Sequence, residues 1–281
     1  MQAFSEAIYV TASWLGAMAA VFGCLALFMK RGRVFSALRK ARGDVTINFA
    51  LALLNGILVI PLMLIPTALI AQVVTAPTVV SDFWIALPLW LTTIVAILIA
   101  DLGVYWRHRA EHHPLLWRIH ATHHSDEHLN WLSVLRKHPL SRILSLCVDY
   151  IPLMLLGLPS GAIVLAAFIR GFWGYLIHAD VPWTFGLAGR WLMSPAAHRL
   201  HHIRDEHLMG ANYGNTVTLW DRLFGTYCDP APHIGCETGI AEGRRSFTGE
   251  LRRPFEWRYS LVRRRLFHKR AAADVLANPP V

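Results

Sequence analysis

Charge is scarce in this chain. Asp, Glu, Lys and Arg make up 16% of its residues, against about 25% in a typical soluble domain. Hydrophobic residues make up 54%. Over 281 residues that balance excludes an ordinary soluble domain and points to a bilayer. Cysteine is scarce too, and four thiols give no disulfide framework. Cys24 and Cys147 lie in apolar runs and read as small core hydrophobes, while Cys228 and Cys236 flank His233 as at most a partial zinc site. No repeat of fixed period is present, which excludes a solenoid, and no low-complexity tract beyond the Ala/Pro-rich end. Acidic residues are outnumbered 18 to 27, for a net charge of +9. Spread over a soluble surface this would suggest nucleic acid. Here the excess flanks apolar runs, so anionic lipid and membrane topology account for it, and no nucleic-acid partner is expected.

What the chain has in quantity is apolar length. Ile8 to Met29 is long enough to span a bilayer, which takes about 20 helical residues. No basic segment precedes it, so it reads as a retained anchor rather than a signal peptide. A basic stretch from Lys30 to Arg42 follows, then apolar runs over Val45–Val74 and Phe83–Tyr105. The loop between those two runs has no Lys or Arg. The basic excess therefore predicts the N-terminus outside and Arg107 onward in the cytoplasm. The region Ile143–Ile177, interrupted by GLPSG at 157–161, reads as a helical hairpin that enters and leaves on the cytoplasmic side. From Arg252 to Arg270, eight basic residues interleave with aromatic and aliphatic ones, as in a helix lying on an anionic surface.

Histidine is the other surplus. Of fifteen, six fall within Tyr105–His124, three within Ser194–His202, and His178 stands between. Buried imidazoles need partners for their nitrogens, and packing alone does not call for so many together. His108 and His112 are four apart at the end of the third apolar run and share a helix face. His113 precedes Pro114 and points elsewhere, while Pro114 suits the start of a new helix. On that helix His120, His123 and His124 cluster on one side. Ser194 and Pro195 predict an N-cap and first turn, and Gly210 an end, for a helix carrying His198, His201 and His202. His207 falls on its opposite side.

Nine convergent nitrogens exceed the four-coordinate shell of one zinc and suit two metals, whose identity imidazole alone does not fix. Carboxylates that orient the histidines would offset the charge. Asp101, the acid inside the third apolar run, is expected to support a histidine from another helix. Glu127, Asp180, Asp205 and Asp221 are further candidates.

The motifs HRAEH at 108–112, HATHHS at 120–125, HRLHH at 198–202 and NYG…WDRLFGTY at 212–227 resemble the fatty acid hydroxylase / sterol desaturase superfamily. The resemblance implies two non-haem iron ions, O₂ as co-substrate, and hydroxylation or desaturation of a lipid C–H. It implies as ligands His108, His112, His120, His123, His124, His178, His198, His201 and His202. Some members carry a second histidine four positions before the lone one, where this chain has Gly174. His128 and His138 are candidates to fill that gap. Glu127, Asn130 and Arg136 lie in a segment similar in many members and are expected near the site. With no HPGG haem motif and no ferredoxin-type cysteine set, a separate cytochrome b5- or ferredoxin-like electron donor is implied.

The expected architecture is an all-α integral-membrane bundle of about three spans plus a hairpin, with a cytoplasmic histidine-rich cap holding a dinuclear metal site. Residues 1–94 form its N-terminal spans, 95–230 its catalytic domain and 231–281 a basic tail. Two other readings exist. One is a membrane zinc hydrolase with Glu111 as general base, although HRAEH is not HExxH. The other is a non-catalytic metal-binding membrane protein, which would place ligands along a crossing path.

Overall fold

The structure is a computed structural model and describes residues 2–73, 76–206 and 208–256. It is helical throughout. Among the described residues the only β pairing is two isolated bridges, Leu192 with Val217 and Ile203 with Thr238. Three helical stretches are long and apolar enough to cross a membrane: Ser5–Leu69, Leu89–Glu111 and Ser160–His178.

The first stretch is a folded-back pair. Helix α1 (Gln2–Lys30) turns at Arg31, which takes a positive φ of 48°, into α2 (Val34–Leu54). Lys30 ends α1, Arg31 and Arg33 lie in a 3-10 turn, and the rest of the basic stretch forms the start of α2, which contains no proline and tolerates the single Gly43. A π-helical turn at Asn55–Val59 leads into α3 (Ile60–Val73). The pair closes tightly at this turn. A Cβ on Gly56 would lie 2.7 Å from Thr11 Oγ1, so only glycine admits the approach.

The run expected over Phe83–Tyr105 divides in two. A short α4 (Thr78–Ile85) ends before Pro88, and α5 (Leu89–Glu111) begins after it, because proline suits a helix start and not its interior. The expected hairpin is present as α7 (Pro139–Leu155) and α8 (Ser160–His178), joined through Gly157 at φ 69°. Both arms pack on α5. Ala96, Ala100 and Ala166 meet Leu153 and Leu158 there, and such small residues let helices approach closely without a hydrophobic drive.

Beyond these helices lies a cap made of α6 (Pro114–His124), a 3-10 turn at Trp131–Leu135, α9 (Pro195–His201), α10 (Leu219–Leu223) and α11 (Phe247–Arg252). Trp117, Ala121, Leu200 and Ile240 form its apolar core. Helix α9 begins as expected, with Ser194 Oγ accepting from Ala197 N–H. It ends at His201 rather than near Gly210. The backbone is drawn off by Gly239 N–H, which donates to His202 O, and by the Ile203–Thr238 bridge. His207 and the basic segment from residue 257 onward lie outside the described residues.

Residues 231–256 are tied into the cap. Glu250, fully buried, accepts from Ser125 Oγ, Arg245 N–H and the Arg253 guanidinium. Arg136, also fully buried, donates to Thr122 O, Ser125 Oγ and Asn48 Oδ1 and pairs with Asp44 and Glu250. These buried groups are satisfied by one another, which fixes the loop after α6 against α2 and α11.

Candidate metal centre

The nine histidines named from the sequence come together, sorted into two groups. His108, His112, His120, His124 and His201 place one ring nitrogen each within 4.8 Å of one another, and His123, His178, His198 and His202 do the same. The sequence spacing suggested that each HxxHH triplet shares one face, and here the geometry corrects it. At 100° per residue His123 and His124 diverge, so His120 and His124 serve the first group while His123 serves the second. On α9 the roles reverse, with His198 and His202 in the second group and His201 in the first.

The separations test whether metals fit. His124 Nε2 lies 3.2 Å from His112 Nε2, 3.1 Å from His120 Nε2 and 3.1 Å from His201 Nε2. In the second group His178 Nε2 lies 3.0 Å from His198 Nε2 and 3.4 Å from His123 Nε2, and His202 Nε2 lies 3.2 Å from His198 Nε2. One Nε2 proton cannot bridge three neighbours. Nitrogens about 2.1 Å from a shared metal are about 3.0 Å apart in an octahedral shell and about 3.4 Å in a tetrahedral one. The observed spacings match that range, so the residues present fit two ions.

The outer nitrogens support this orientation. His108 Nδ1–H donates to Tyr213 O at 2.8 Å, His201 Nδ1–H to Ala211 O at 2.7 Å and His178 Nδ1–H to Gly174 O at 2.6 Å. Each bond holds the proton on Nδ1 and leaves the Nε2 lone pair facing inward. His108 Nε2 is buried with no hydrogen-bond partner. Burial, reinforced for all but His201 by neighbouring imidazoles, holds His120, His123, His124, His198 and His202 well below the usual histidine pKa and brings His201 to about 4. Neutral imidazole is the form that ligates.

The family comparison rests on this region. Residues 93–226 match the family model described as fatty acid hydroxylase. Across that stretch the chain is similar to the fatty acid hydroxylase superfamily. It is 32% identical over 178 residues to the ornithine lipid hydroxylase OlsE of Rhizobium tropici, covering 62% of this chain and 54% of that protein. It is 36% identical over 135 residues to the alkylglycerol monooxygenase of Homo sapiens, 47% of this chain and 29% of that one. A Delta(7)-sterol 5(6)-desaturase of Gibberella zeae, ERG3B, is 27% identical over 157 residues, 54% of this chain and 45% of the desaturase. The chain thus spans about half the length, or less, of these relatives. No solved structure matches.

Around the two histidine groups the supporting residues differ in part from expectation. Glu111, weighed from the sequence only as a hydrolase base, is fully buried and lies 3.3 Å from His120 Nδ1. It also accepts from Arg107 Nη1 and Ser141 Oγ, each at 2.6 Å, so it is committed to structure rather than free to activate water. Its signal in the sequence was the Arg107–Glu111 pair, four apart at the end of an apolar run. Asp101 is fully buried as expected, but it supports no histidine. It accepts from Arg170 Nε at 3.0 Å and from the N–H groups of Thr216 and Val217 at 2.8 Å. A helix-borne acid seven residues before His108 lies about 10 Å away along the axis, and the loop after Tyr213 returns to meet it there.

Asp221 also acts through that loop. It accepts from Tyr213 N–H at 2.7 Å, Gly214 N–H at 2.8 Å and Thr226 Oγ, and thereby sets the Tyr213 carbonyl that holds His108. Glu127 and Asn130 are not at the histidines. Glu127 sits with Asp44 and His128, and Asn130 caps the Trp131–Leu135 turn. Neither His128 nor His138 joins the four-histidine group: His128 pairs with Asp44, and His138 Nε2–H donates to Leu251 O. Asp180 pairs with Lys30 and Arg199. Cys228, Cys236 and His233 are not among the candidate metal groups of the described residues.

Proposed function

We propose that the chain is a membrane-bound non-haem di-iron oxygenase that uses O₂ and external electrons to hydroxylate, or desaturate, an unactivated C–H of a lipid. The observation that carries this reading is the convergence of nine Nε2-directed imidazoles in two groups beside three apolar helices. Bound iron would supply reductive activation of O₂, which protein side chains alone do not provide. His108, His112, His120, His124 and His201 hold one ion in this account, and His123, His178, His198 and His202 the other. The chain's own share is placement. Tyr213, Ala211 and Gly174 carbonyls aim three rings inward, Glu111 aims a fourth, and burial keeps the site dry. Residues 1–94 anchor the chain, 95–230 carry the chemistry, and 231–256 close the cap.

In this account the basic face is cytoplasmic, the N-terminus is outside, and a separate cytochrome b5- or ferredoxin-like protein delivers electrons. The relatives' functions, ornithine lipid hydroxylation, alkylglycerol monooxygenation and sterol desaturation, set the lipid classes to screen. Incubation of the iron-loaded full chain with such lipids, ¹⁸O₂ and a ferredoxin reducing system should yield a product about 18 mass units heavier than substrate where one ¹⁸O is inserted into a C–H bond, or about 2 units lighter and unlabelled where two hydrogens are removed. Absence of any oxidised lipid across these classes, with two irons bound and electrons consumed, would argue against it.

A further inference from the structure

A cavity of about 480 Å³ lies outside the histidine site, at the base of the α1–α2 pair. That pair is closed at Thr11 and Gly56 but opens towards its connection, where the loop at 127–132 and residues 179–181 form the opposite wall. Phe22, Leu25, Ala37, Leu38 and Leu129 are among the residues that make its interior apolar, and Phe22 is fixed by stacking on Trp131 at 5.9 Å. The mouth is cationic. Lys30 and Arg199 share a single carboxylate, Asp180, and the exposed Lys40 adds a further positive charge. Glu127 also lines the cavity, its carboxylate near Gly243 and the Asp44–His128 pair, so Lys30, Lys40 and Arg199 face two carboxylates and keep a positive excess.

We infer that this cavity binds an amphipathic lipid with an anionic headgroup, its chain among the apolar residues and its head at Lys30, Lys40 and Arg199. A concave apolar site with a few convergent charged groups is the form that lipid-sized ligands take. Lysine and arginine at its mouth suit a phosphate or carboxylate. Ala179 and Asp180 follow His178, and Arg199 follows His198, so the headgroup sits against the outer side of the four-histidine group. Taking this lipid as the class of substrate rests on the oxygenase reading above; the binding itself does not.

Photolabelling tests it on the full chain in phosphatidylcholine nanodiscs. The probes are a lysophosphatidic acid and a monoacylglycerol with the same diazirine-bearing chain. The phosphate probe should label peptides covering 22–45 and 127–132 at least tenfold more than the neutral probe. Lys30→Gln with Lys40→Gln should abolish that preference, and Ala37→Trp should abolish the labelling while the protein still elutes as a folded species. Equal labelling by the two probes, or labelling indifferent to Ala37→Trp, would overturn the inference. A His123→Ala, His201→Ala variant separates the two readings. It should label like the wild type while losing metal, so a failed oxygenase reading leaves labelling intact and a failed lipid site leaves metal and turnover intact.

Discussion

Replacing Glu111 by glutamine should weaken one metal and spare the other. The carboxylate lies 3.3 Å from His120 Nδ1, and His120 belongs to the five-histidine group only. Glutamine keeps the volume and can still accept from Ser141, but it removes the charge that holds the proton on His120 Nδ1. Such outer partners are worth about 10–100-fold in metal affinity, or roughly 1.4–2.7 kcal/mol. Arg107 retains Asp149, at 2.8 Å from its Nε, so no unpaired buried cation is created to unfold the chain. The assay is a competitive chelator titration of the metal-loaded protein, followed by elemental analysis. The wild type should release two ions, each at its own chelator activity. In Glu111→Gln one ion should leave at tenfold or lower chelator activity while the second is retained. Equal weakening of both ions, or of neither, in a folded variant would refute the assignment of Glu111 to His120 and of His120 to one group.

Three other perturbations follow from the same geometry. Asp101→Leu leaves Arg170 buried without its carboxylate and should cost on the order of 3–5 kcal/mol, read as loss of monodisperse protein in detergent; pairing it with Arg170→Leu should recover much of the loss. Recovery no better than the single variant would mean that the pair is not the reason for the loss. In metal-free protein the unfolded chain binds protons near pH 6.5 that buried His201 refuses until about pH 4. Its stabilising contribution is therefore complete above pH 6.5 and falls as pH drops towards 4, and thermal melts across that window should show Tm declining; a flat Tm would contradict buried neutral imidazoles. Gly157→Ala should destabilise the α7–α8 turn by about 1 kcal/mol or more, since its φ is 69° and a Cβ would lie 2.6 Å from Ala76. A melt unchanged from wild type would show that the turn relaxes.

The histidine boxes were legible because their information is local. Spacings of three and four on a helix declare shared or adjacent faces before any tertiary contact is known. Their sorting into five and four was not legible, because it depends on how α5, α6, α8 and α9 converge. Asp101 shows the same limit. An acid in an apolar run declares that it has a partner, but its partners come from residues 170 and 216–217, far along the chain. Asp44 and Asn48 carried no local signal, although they meet Arg136 and Asp126 in a buried network that fixes the loop after α6. The break at Pro88 could be read from proline chemistry alone, and the helical start of α2 from the absence of proline between Val34 and Leu54. The early end of α9 could not, because the 237–239 segment that pulls the chain away lies on the other side of the cap.

The two histidine groups should hold two metal ions, one in each. Iron per chain, measured by elemental analysis of protein purified in mild detergent after expression with ample iron, tests it most directly when the wild type is compared with a His198→Ala, His202→Ala variant. The wild type should carry two irons per chain and the variant one, because the variant keeps the five-histidine group intact. A single zinc per chain, or no stoichiometric metal in a folded wild type, would contradict it.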